Sequence, residues 1–160
     1  MMNQKAKKLV LGMGNDILSD DGIGLMLVRD LANRINDQDV KFEISCCGGL
    51  EIMELIKGFK TVVFVDAIRT RNGSPGEVYY FRPSDFRETS HLSNLHDINF
   101  LTSIKLGTAL DLDLPDDLHI IATEIIEDME FSDELTPPLK EKYPEILEKV
   151  LDIVNGIILT

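Results

Sequence analysis

Cysteine is almost missing from these 160 residues: Cys46 and Cys47 are the only two, and they are adjacent. Neighbouring cysteines do not suit ordinary disulfide geometry, so there is no disulfide framework. No second cysteine pair completes a thiolate zinc site. The pair could ligate a soft metal, but it reads first as the buried end of a strand ahead of Gly48-Gly49. Long hydrophobic runs are missing too. Leu9-Val10-Leu11-Gly12, which follows three lysines within Met1–Lys8, is too short for a signal-peptide core or a membrane span. The expected location is the cytoplasm, with no membrane insertion. Positive charge is in deficit, with 16 Lys and Arg against 28 Asp and Glu and a formal net charge of -12. Such a surface repels nucleic-acid phosphates and anionic lipids and suits a basic face or a cationic ligand. Part of the charge simply serves solubility. The chain also lacks a Walker lysine, an H-E-x-x-H pair and a G-x-S-x-G elbow, so the conventional serine-hydrolase and zincin readings have no support.

What is present is ordinary for a globular protein: 44% apolar and 28% charged residues. A chain of this length can bury a core without staples, and no repeat or linker divides it, so residues 1–160 read as a single domain. Strand and helix signals alternate, which predicts an α/β three-layer sandwich: a twisted, mostly parallel sheet with helices on both faces. Strands are expected at Leu9–Met13, Phe42–Cys46, Thr61–Val65 and Leu118–Ala122, with an edge strand at Val78–Phe81. Apolar residues at helical spacing predict helices from Gly22 to about Arg34, around Ile52–Ile56 and over Asp97–Leu110. Thr136 reads as a cap before Pro137-Pro138, and Pro144 is expected to break or kink that last helix, which restarts to Asn155.

Ligands of open α/β sheets bind outside the carboxyl ends of the strands. Two acidic features fall there: Asp16, Asp20 and Asp21 after the first strand, and Asp66 directly after Thr61–Val65. A histidine would complete a three-ligand set, and His91, His96 and His119 are the choices. His119 lies inside an apolar strand and reads as structural. His96 opens a helical segment, and His91 in the preceding polar loop is its rival. Two carboxylates and an imidazole suit a borderline metal such as nickel or zinc, or acid–base work on water. Each also has a plainer reading: a turn residue for Asp66, a first-turn helix carboxylate for Asp21, a cap neighbour for His96. Gly12-Met13-Gly14 begins like a dinucleotide fingerprint, but Ile17 replaces the third glycine. Three carboxylates would also face the pyrophosphate, so nucleotide binding is not expected.

The segment Gly12-Met13-Gly14-Asn15-Asp16-Ile17-Leu18-Ser19-Asp20-Asp21-Gly22-Ile23-Gly24 resembles the G-x-G-N-x-L-x-x-D-[DE]-G-x-G signature of the [NiFe]-hydrogenase maturation proteases, with Ile17 in place of the usual leucine. The resemblance continues through Gly48-Gly49, the strand ending Val65-Asp66-Ala67, Pro75-Gly76, the histidine segment Leu95–Leu101, Leu106-Gly107 and Leu135-Thr136-Pro137. It covers most of the chain. It implies a sheet sandwiched by helices and an endopeptidase, grouped as aspartic-type. Such an enzyme removes a C-terminal peptide from the hydrogenase large-subunit precursor after nickel insertion. It also implies that Asp21, Asp66 and His96 contact that nickel and serve the cleavage. The resemblance implies that nickel arrives with the precursor; three side chains leave the shell incomplete, so weak binding to the free chain is expected. No nucleophile follows from the resemblance; a carboxylate-activated water is the choice the residues allow. The same trio would also serve a non-catalytic nickel checkpoint or assembly chaperone, or a related peptidase acting on another protein.

Overall fold

The computed structural model describes residues 8–46, 48, 50–87 and 103–160. Five strands form one sheet: β1 (Lys8–Met13), β2 (Val40–Ser45), β3 (Thr61–Ile68), β4 (Val78–Phe81) and β5 (Asp117–Glu124). Their spatial order is β2-β1-β3-β5-β4. All neighbouring pairs are parallel except β4 with β5. The helices are α1 (Ile23–Arg34), α2 (Leu50–Ile56), the described helical stretch at 103–109 (α3) and α4 (Pro137–Ile158).

The central strands are apolar on both faces, as strands covered on both sides must be. Successive side chains of β1 point to opposite sides. Val10 joins Ile23, Leu27 and Leu31 of α1 and Val150 and Val154 of α4 in one core. Leu9 and Leu11 join Ile52 and Ile56 of α2, with Ile104 of α3 packed against them, in the other. The expected three layers are therefore present. No helix among the described residues is long and apolar enough to cross a membrane.

Several local expectations are corrected. β2 spans Val40–Ser45, so Cys46 lies just beyond it and is exposed rather than buried. β3 runs on through Asp66 to Ile68, because its pairing with β5 continues to Ile68 opposite Glu124 and both Ala67 and Ile68 are buried. Asp66 is thus a strand residue, not the residue after a strand. α4 is continuous through Pro144. A helix-interior proline costs about 3 kcal/mol, whereas burying each aliphatic side chain stabilises by roughly 1.5–3 kcal/mol. Leu139 before the proline and Ile146, Val150, Val154 and Ile158 after it all anchor one face, so the apolar stripe overrides the break. Thr136 precedes α4 but makes no side-chain cap bond; its hydroxyl donates to Asp20 instead.

Candidate functional site

The strand order reverses between β1 and β3. From β1 the chain crosses to β2 on one side, and it returns to place β3 on the other. Crevices at such reversal points, outside the carboxyl ends of the strands, are where open α/β sheets hold ligands. The register pairs Gly12 with Val65, so Asp66 stands one residue beyond the last matched pair, beside Met13. Asp21 comes back to the same place through the loop after β1. That loop folds into a short 3-10 turn, Ser19–Gly22, which packs against β3.

Glycine makes the return path possible. Gly14 has φ +143°, and a Cβ there would lie 2.0 Å from the Asp21 carbonyl oxygen. At Gly24 a Cβ would lie 2.4 Å from the carbonyl oxygens of both Met13 and Val65. The first turn of α1 therefore rests directly on the ends of β1 and β3, and no side chain fits between. This close approach sets the Asp21 turn over the strand that carries Asp66.

The three carboxylates of the loop have separate fates. Asp16 lies at the surface, 3.6 Å from Arg29, a pair of small energetic worth. Asp20 is 0% exposed. Its Oδ2 accepts the N–H groups of Ile126 and Glu127 at 3.2 and 3.0 Å, and its Oδ1 accepts that of Thr136 at 2.7 Å. The Thr136 hydroxyl completes the set at 2.9–3.0 Å. Asp20 is a clasp that ties the β1–α1 loop to the segment between β5 and α4. Asp21 is 8% exposed and accepts the Asn15 N–H at 3.0 Å on Oδ2. Asp66 is half-buried and accepts the Ala67 N–H at 2.7 Å on Oδ1. These bonds orient the two carboxylates through backbone amides, which carry no formal charge.

His96 and its rival His91 lie outside the described residues. Among the described residues no three His, Cys, Asp or Glu side chains converge on a metal position. His119 is buried in β5, at the opposite end of the sheet from Asp66. Its Nε2 lies 3.0 Å from Asp117 Oδ2, and its Nδ1 lies 2.7 Å from the Tyr80 hydroxyl. Arg82 Nη1, which can only donate, also lies 2.7 Å from Nδ1, so the ring is held between Tyr80, Arg82 and Asp117. Arg82 Nη2 adds a 2.9 Å bond to Asp117 Oδ1. Burial opposes the Asp117 charge, but the hydrogen bonds from His119 and Arg82 prevail and hold its pKa below the ordinary value. The structural reading of His119 is correct.

Asp20 is what the sequence reading missed, having grouped it with its neighbours as one acidic feature. The segment it clasps was missed as well. Ser19 N–H donates to Ser132 O at 2.8 Å, and Ser132 N–H to Ile17 O at 3.0 Å, so the two loops are laced backbone to backbone. Glu127 is held below its ordinary pKa chiefly by the N–H groups of Met129 and Glu130, with Arg69 nearby adding to the effect. The only sequence trace of the clasp was Leu135-Thr136-Pro137, which carries one of its donors.

A family model described as hydrogenase maturation protease matches residues 25–153. That span includes Asp66 and all three histidines, and it begins just after the Gly12–Gly24 segment. Among solved structures, the hydrogenase maturating endopeptidase HybD from E. coli superposes with a TM-score of 0.76 at 24% identity, over 94% of this chain and 93% of that one. The [NiFe] hydrogenase maturation protease HybD from Thermococcus kodakarensis superposes with a TM-score of 0.71 at 25% identity, over 94% and 98%. The [NiFe] hydrogenase maturation protease HycI from Thermococcus kodakarensis gives 0.63 at 23%, over 96% and 95%. No curated protein matches the chain.

Proposed function

The chain belongs to the hydrogenase maturation protease family, and from that premise we propose that it removes the C-terminal peptide of a [NiFe]-hydrogenase large-subunit precursor once nickel has been inserted. What supports this reading is that the turn carrying Asp21 packs against β3, the strand that carries Asp66, where the strand order reverses. In this reading their carboxylates, with the imidazole of His96, grip the nickel that the precursor brings. Oxygen and imidazole nitrogen suit that borderline ion, and three side chains leave positions for the precursor's own ligands. Nickel is part of the substrate here. An unloaded precursor lacks the anchor and does not dock productively.

The anchor turns an encounter between two proteins into a fixed geometry at the scissile bond, where orientation alone lowers the barrier substantially. Water then adds across the amide. The carbon–nitrogen bond breaks, the new C-terminus leaves as a carboxylate, and the released peptide gains an amine. A carboxylate of the site takes the proton of the attacking water, the step that groups the enzyme with aspartic-type peptidases. Setting in the cytoplasm, where precursors are assembled, belongs to the same reading.

The test is an incubation of the protein with its precursor, nickel-loaded and nickel-free, read by intact mass. Loss of a short C-terminal peptide from the loaded form alone is the expected result. A stable complex with no mass change in either form would replace the peptidase by a nickel checkpoint that cuts nothing.

A further inference from the structure

Beside the carboxylates stands a surface that the cleavage reaction does not itself need. Phe131 is 83% exposed and Met129 78% exposed, on the segment between β5 and α4. Ile17, 54% exposed, projects from the β1–α1 loop. Leu18 and Ser132 form a parallel bridge, so Ile17 and Phe131, each the residue before a bridge partner, are neighbours along the two loops. Single exposed apolar residues are ordinary, but neighbouring large ones mark a contact surface. Their exposure is not that of a loose loop: the Asp20 clasp and the Ser19, Ile17 and Ser132 backbone bonds fix both segments. A surface fixed in advance loses little entropy on binding.

The collar around these side chains is acidic. Residues Glu127 to Glu134 include five carboxylates and no basic residue. Asp128 is paired with Arg69 at 2.7 Å, Glu127 is occupied by backbone N–H groups, and Glu134 lies 3.6 Å from Lys140. Glu130 and Asp133 have no ion-pair partner among the described residues. A second copy of this chain would bring the same negative collar and be repelled.

We propose that the laced loops form a docking surface for an apolar face of the precursor that carries lysine or arginine, separate from the peptide that is cut. Phe131 is the rigid anchor, Met129 the adaptable filler, and Glu130 and Asp133 select and steer the basic rim. The surface adjoins Asp20 and Asp21, so a precursor seated on it presents its metal to the carboxylates. The inference rests on the processing function proposed above and assigns that function its specificity surface.

Two independent full-length variants test it: Met129→Ser with Phe131→Ser, and Glu130→Lys with Asp133→Lys. Each is assayed for binding and cleavage of nickel-loaded precursor over a salt series, with thermal melting as the check on folding. All four side chains are exposed, so melting is expected to hold. Removing the apolar pair is expected to raise KM by about tenfold or more, the scale of an interface anchor. The charge reversal is expected to raise KM at low salt and to flatten its salt dependence. A wild-type KM and salt slope in both variants, with wild-type protein cutting normally, would overturn the docking surface and leave the peptidase intact. A self-associating wild type that both variants render monomeric would overturn it in favour of a second copy as occupant. A wild type that neither binds nor cuts loaded precursor would overturn the peptidase reading, and the assigned occupant with it.

Discussion

The two ends of the sheet hold their most buried carboxylates differently. At the end where β3 and β5 begin, Asp117 takes bonds from Arg82 and His119, and the Thr61 hydroxyl donates to it at 3.2 Å. Lys8 Nζ donates to the Ile158 carbonyl nearby. The charge of Asp117 there is met by the Arg82 guanidinium. At the end where β1 and β3 finish, Asp20 is clasped by three backbone N–H groups and a hydroxyl, and Asp21 and Asp66 accept the N–H groups of Asn15 and Ala67. Glu124 is likewise held by the N–H and hydroxyl of Thr70 at 2.8 and 2.9 Å. An amide satisfies an oxygen without cancelling its charge. The first end is a neutralised seam. At the second, backbone N–H groups hold Asp20, Asp21 and Asp66 in fixed positions, while Asp16 and Asp128 beside them pair with Arg29 and Arg69.

The comparison breaks most visibly at Asp66. Asp66→Asn keeps the shape and removes the charge. It is expected to slow precursor cleavage by about 10²–10⁴-fold, the range of a lost acid–base or electrostatic group, while melting stays close to wild type. A single-turnover intact-mass assay beside a thermal melt checks both halves.

Asp20 sharpens it next. Asp20→Ala leaves the part-buried N–H groups of Ile126, Glu127 and Thr136 without this acceptor. The expected loss is about 3 kcal/mol, since bonds to a charged acceptor are worth roughly 1.5–3 kcal/mol each and the segment relaxes in part. Denaturant melts would read it. Cleavage should fall as well, because the Asp21 turn loses its support. A variant of wild-type stability would mean that the clasp holds nothing.

Gly24→Ala drives a methyl group against two backbone oxygens. Shifting α1 to relieve such crowding costs typically 1–3 kcal/mol. The expected signature is lower stability together with weakened cleavage, because the displaced helix carries the Asp21 turn with it.

The smallest effect belongs to the neutralised seam. Asp117 has a folded pKa below its ordinary value of 3.8. Its contribution is therefore present above the unfolded value and is lost as pH falls through the folded one. Asp117→Asn should lower stability at neutral pH by less than about 1 kcal/mol, because the carboxylate is 41% exposed and solvent screens its partners. It should also lessen the acid sensitivity of unfolding below about pH 4 and leave cleavage of the precursor unchanged. Melting curves at neutral and acid pH, beside one cleavage assay, check it.

Much of the fold was legible because its signals are local. Leu9–Met13 and Val62–Val65 are short runs without a charged or polar side chain, and Ile23, Leu27 and Leu31 recur at helical spacing. The expected positions of Asp21 and Asp66 followed from the rule for strand ends and from the Gly12–Gly24 signature. What was not legible depends on distant partners. Asp66 belongs to β3 because β5 continues to pair with it. α4 passes Pro144 because buried residues on both sides hold it to the sheet. Asp20 is a clasp because Ile126, Glu127 and Thr136, more than a hundred residues away, deliver their donors to it. The choice of His96 over His91 falls outside the described residues.

The central claim is that Asp21 and Asp66 touch the nickel of the precursor. X-ray absorption at the nickel edge tests it most directly, on loaded precursor alone and on its complex with this protein, freeze-quenched before cleavage. The account predicts that the complex gains oxygen or nitrogen ligands, and that Asp21→Ala and Asp66→Ala each remove one. A nickel shell unchanged by the wild-type protein, in a sample that goes on to lose its C-terminal peptide, would contradict it.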